Sequence, residues 1–148
     1  MAGKTMILNK VYRWDGWGGR LKLGSGECRL QLFDLAAGGL GAMTHLRPFI
    51  VVVTDMPGSK MSVKSCAGHI ATRVVQEFGI DKDRMLWVEY YPAKAYGPEG
   101  SKQMPESFEA AEFSWHGNEA IEPKWRKLQP PVLNIVRDLV LEGEGENC

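Results

Sequence analysis

Cys66 and His69 are the sharpest candidates for chemistry in this chain. On a helix, residues three apart sit about 60° apart around the axis. A helix amino end carries partial positive charge, which lowers a thiol pKa, so the pair offers a nucleophile beside a base. A plain core reading competes, because Cys66 also falls on the edge of an apolar stripe, where a small thiol is ordinary packing material. The turn at 55–62 comes second. There Ser59, Lys60 and Ser62 stand beside the free N–H groups of an expected helix start, an arrangement that holds phosphate or carboxylate. Its spacing is not that of a nucleotide phosphate loop, which needs more glycines and a lysine followed by Ser or Thr.

Aromatic and acidic groups offer less specific signals. Trp14 and Trp17 flank Asp15-Gly16 with Arg13 and Arg20 nearby, so exposed rings would give stacking faces beside guanidinium groups. Folded over a hairpin, the same rings would seal a core. Glu89 falls on an expected strand and Asp55 at the end of a neighbouring one, and such a pair in a cleft could do acid–base work if the fold brings them together. His45, His69 and His116 are scattered, so no metal site follows from spacing and no cofactor is implied.

The elements that must position these residues are clearest at 48–92. The β-branched run Phe49-Ile50-Val51-Val52-Val53-Thr54 reads as a central strand covered on both faces. Ser62 can cap a helix over 63–78, in which Val63, Ala67, Ile70, Val74 and Phe78 form one stripe and Gly79 supplies the stop. Met85 to Tyr91 follows as a second strand, ended by Pro92. A strand, a helix and a strand in that order form a crossover unit, right-handed if the strands are parallel. Upstream, alternating Met6 and Leu8, then Leu21 and Leu23, then Leu30 and Leu32, with glycine turns between them, read as an antiparallel meander. Residues 36–44 read as a glycine-rich connection and 93–107 as a lid or surface loop. Phe108 to His116 ends as a strand, and Pro130-Pro131 opens a helix over 132–141.

The expectation is therefore one α+β domain over 1–141, followed by a disordered acidic tail at 142–148. It has a mixed, mainly antiparallel sheet of about five strands, with two helices on one face and the other face partly open. Three odd-spaced cysteines, Cys28, Cys66 and Cys148, read as free thiols. With no long apolar run and no apolar leader, the chain reads as cytoplasmic, without a membrane partner. Charge is uneven: 10 Lys/Arg against 4 Asp/Glu through Arg73, then 8 against 14, or +6 and −6.

One resemblance adds origin but no activity. The stretch Ile70-Ala71-Thr72 through Phe78-Gly79-Ile80-Asp81 to Leu86-Trp87-Val88-Glu89-Tyr90-Tyr91-Pro92, with Tyr12 and Gly16-Trp17 upstream, resembles short uncharacterised bacterial proteins of plasmids and gene cassettes. It implies a bacterial, mobile-element source. Three functions are carried forward: a homodimeric binding or protein-interaction module using an open, aromatic sheet face; a small enzyme built on Cys66, His69 and Asp55; and a nucleic-acid binder using the basic first half. A protein or small anionic ligand is favoured over nucleic acid as partner.

Overall fold

The computed structural model describes residues 6–14, 26–35, 48–57 and 61–146, with side chains to residue 141. Eight strands and two helices follow one another: β1 (Met6–Trp14), β2 (Gly26–Asp34), β3 (Phe49–Asp55), α1 (Ala67–Phe78), β4 (Met85–Tyr91), β5 (Lys94–Tyr96), β6 (Lys102–Met104), β7 (Ser107–His116), β8 (Glu119–Lys127) and α2 (Pro130–Glu146). Six strands form one sheet in the order β1-β2-β3-β4-β7-β8, and β5 pairs with β6 in a separate ribbon. Only β3 and β4 run parallel; every other pairing is antiparallel.

Strand parity divides the core. Val51, Val53 and Trp87 join Ile70, Ala71 and Val74 of α1 in one cluster. Ile50, Val52, Leu86 and Val88 join Val136, Leu139 and Val140 of α2 in the other. A parallel pair exposes no solvated face, so its strands are apolar at every position and need cover on both sides. The α+β class and the mixed sheet hold. The helices, expected together on one face, take opposite faces, and the sheet has six strands.

The sheet also grips α1 from both margins. From β1, the Tyr12 ring lies 6.5 Å from Phe78 and Lys10 Nζ sits 5.2 Å over the same ring. From β8, the Ala120 N–H donates to Thr72 Oγ1 at 2.9 Å, while that hydroxyl donates to Gly68 O at 2.8 Å. A Cβ on Gly68 would stand 3.0 Å from Ala120 O, so glycine permits this approach.

Several boundaries differ from the sequence reading. A 3-10 turn, Lys64–Cys66, precedes α1, which ends at Gly79 in the left-handed region (φ 64°) as expected. The loop expected at 93–107 contains the β5–β6 ribbon, turned through Gly97 and Pro98–Gly100. β8 was not anticipated at all, because Pro123 and alternating charges mask it; Pro123 falls at an irregularity beside Glu122 (φ 24°) on an edge strand. α2 continues to Glu146, through residues expected as a disordered tail.

Gly26, expected in a turn, is the first residue of β2 and lies opposite Trp14. A Cβ there would fall 2.2 Å from Trp14 Cζ2, so the indole rests directly on the glycine. Gly26→Ala should dislodge that ring and cost about 1–3 kcal/mol, the usual range for overpacking. Urea denaturation, with the tryptophan emission maximum as second readout, measures both effects.

Candidate acid–base site

Three carboxyl side chains, Asp55, Glu89 and Glu109, lie towards the end of the parallel strands. Glu89 is the fifth of the seven residues of β4 and faces the α1 side, and Tyr91, two residues on, shares that face by strand parity. Across the sheet Glu89 is paired with Glu109 of β7, and Asp55 closes β3. Asp55 and Glu89, which the sequence could only place on separate strands, come close enough for Asp55 to raise the Glu89 pKa. Ligands of open α/β sheets are held at this end of parallel strands, because the loops leaving them frame a crevice.

Glu89 is only 1% exposed. Its Oε2 accepts a hydrogen bond from the Tyr91 hydroxyl at 2.7 Å. Its Oε1 has no partner within bonding distance; the neighbouring buried Trp87 Nε1, likewise without one, acts on the carboxyl only as a weak, longer-range donor. Burial pushes the carboxyl up to about 7; the Asp55 charge adds to this, while the Tyr91 hydrogen bond, the Lys64 ammonium and the Trp87 indole oppose it. Burial raises the Tyr91 phenol too, and the hydrogen bond to Glu89 raises it further. Lys64 Nζ meets Glu109 Oε2 at 3.0 Å and lies 5.1 Å over the Trp125 ring. The arrangement is a buried carboxyl titrating near neutrality, a phenol donor, two further carboxylates and one ammonium.

The other sequence candidates fall as follows. Asp55 Oδ1 accepts from the Val63 N–H at 2.7 Å, and Ser62 Oγ accepts from the Ser65 N–H at 3.1 Å. Ser62 therefore does not cap α1, whose cap residue is Cys66, but satisfies an N–H of the 3-10 turn before it, and the Asp55 carboxylate accepts from the Val63 N–H, one of the donors the sequence offered to an anion. Ser59 and Lys60 lie outside the described residues, as do Trp17, Arg20 and His45. Trp14 is buried in the α1-side core, as are Tyr12 and Trp87, so these rings give no aromatic surface.

Cys66 is buried, and burial raises its pKa, against the lowering expected at a helix end; a weak donor contact from Trp14 opposes the rise. His69 lines a groove with His116 in which Cys66 takes no part. Cys28, the residue paired with Asp55, is fully buried and pushed up to about 12 by burial and the nearby carboxylates. Among the described residues no group of three His, Cys, Asp or Glu side chains could hold a metal ion, and no helix is long and apolar enough to cross a membrane.

Tyr91, Glu109 and Lys64 were missed. Parity on β4 could have given Tyr91, since 87, 89 and 91 must share a face, but the β7 register behind Glu109 has no sequence signal. No family model matches the chain, and neither a curated protein nor a solved structure matches it.

Two outcomes follow. A thiol reagent should label Cys28 and Cys66 only as the protein unfolds, which mass spectrometry with stepped urea will reveal. Glu89 binds its proton more tightly folded than unfolded, so its contribution favours folding below about 4.5 and is lost as pH rises through about 7. Relative to Glu89→Gln, the wild type should lose about 3 kcal/mol over that window, read from urea midpoints at successive pH values.

Proposed function

We propose that this protein is a small acid–base enzyme, in which Glu89 exchanges a proton with a polar substrate at the carboxyl end of β3 and β4. The observation that carries this reading is the buried Glu89 carboxyl, with one oxygen held by Tyr91 and the other left without a partner. An unpaired charge in a core costs several kcal/mol, by order of magnitude, and packing does not require it. A carboxyl near neutrality can give or take a proton at physiological pH, as general acid–base catalysis demands. Tyr91 orients the carboxyl and, being half-buried, connects it with the surface. Among the described residues, Asp55 and Glu109 against Lys64 leave negative charge in excess, which selects a neutral or cationic substrate. This reading keeps the enzyme alternative of the sequence but moves its centre from Cys66 and His69 to Glu89.

Screening small amines, amides and hydroxy compounds by saturation-transfer NMR tests it. Some should bind the wild type and bind Glu89→Gln about tenfold more weakly, the loss expected when a charge-assisted hydrogen bond is removed. Equal binding to both proteins would count against the site.

A second reading rests on the edge strand β1, where Ile7 is 56% and Val11 43% exposed. An apolar edge without proline invites another strand, and a second copy of the chain could supply it. Sedimentation of the wild type should then show association that Val11→Lys abolishes; a wild type that stays monomeric at every concentration removes this reading.

A further inference from the structure

Two of the three histidines of the chain, 47 positions apart, meet in one groove between α1 and the β7–β8 turn. The groove measures about 380 Å³, and His69, Arg73, Gln76, His116, Asn118 and Glu119 line it. This volume is within the range of small-molecule sites. His69 is buried at the base; Arg73, Gln76, His116, Asn118 and Glu119 are exposed around it.

The walls are fixed by contacts on both sides. Thr72 ties the start of β8 to α1 through its bonds with Ala120 N and Gly68 O, which leave that hydroxyl committed to the scaffold. On the turn side, Lys82 Nζ donates to Gly117 O, and Gly117 takes the left-handed conformation (φ 62°) that the tight turn requires. The groove is therefore held open by the fold.

Its chemistry is dominated by donors. A guanidinium, two carboxamides and two imidazoles face one carboxylate, Glu119, which stands exposed and well solvated. Arg73 takes part in none of the ion pairs found among the described residues. A planar guanidinium without a carboxylate partner is suited to hold an oxyanion by paired N–H donors.

We propose that this groove binds a small oxyanion, a phosphate or carboxylate group, through Arg73 with His69, His116 and Asn118 around it. The site is independent of Glu89, which faces the excess negative charge at another end of the sheet, so either assignment can fail without the other.

The test is titration of the full chain with inorganic phosphate and, separately, with acetate, following the imidazole signals of His69 and His116 by NMR. Saturable shifts of both residues are expected with at least one anion. Arg73→Gln should weaken that binding about tenfold, as loss of a charge-assisted pair does. Asn118→Asp, which adds a negative charge at the turn, gives a second reading should Arg73→Gln fold poorly, and Lys124→Gln, further along β8 and outside the groove lining, should change nothing. Saturation by phosphate alone would assign a phosphate site, and by acetate a carboxylate site. Shifts that never saturate, or that persist unchanged in both groove variants, would overturn the proposal.

Discussion

The parallel pairing of β3 with β4 is the constraint from which the rest of this architecture follows. A parallel pair needs a crossover, which α1 provides, and it needs cover on both faces, which requires a second helix. Ile50, Val51, Val52 and Val53 are all buried, with odd and even positions turned to different helices. The antiparallel strands on either side extend this two-sided core, and at the β8 margin the sheet closes on α1 through Thr72.

Glu89 departs from that logic. It lies in the strand whose first six residues are all buried, and it is the single carboxyl side chain among them. Its neighbours do not neutralise it fully: one phenol satisfies one oxygen, and the nearest ammonium is already engaged by Glu109. The cost is partly relieved by keeping a proton, since protonation removes the charge that burial penalises. Stability and proton affinity at this position are therefore two expressions of one local energy.

Much of the fold was legible because its central elements carry strong periodic signals. The run at 49–54, the stripe of α1 with Gly79 behind it, and the Met85–Tyr91 strand match the structure closely. What failed to show depends on tertiary partners. The side on which each helix packs cannot be read when a strand is apolar at every position, since both parities are equally attractive. β8 escaped notice because its backbone is paired on one side only, so charges and Pro123 are tolerated there. At the site, Asp55 and Glu89 were visible as residues, but their approach depends on register, and Cys66 was misleading because a helix start can also be core. The β1–β2 region shows the same limit: Gly26 looked like a turn, and only the Trp14 indole above it explains a glycine at the start of a strand.

The β5–β6 ribbon leaves the end of β4 and returns to the start of β7, and its strands are exposed throughout. Its base is pinned on the α2 side, where Glu106 accepts from Arg137 at 2.8 Å and from the Tyr90 hydroxyl at 3.4 Å. Anchoring is thus separated from length: the clamp fixes where the ribbon begins, while nothing in either core fixes how far it extends. For protein engineering, this makes the ribbon tip a natural insertion point for a tag, a reporter or a second domain, because added residues there meet solvent and leave the sheet intact.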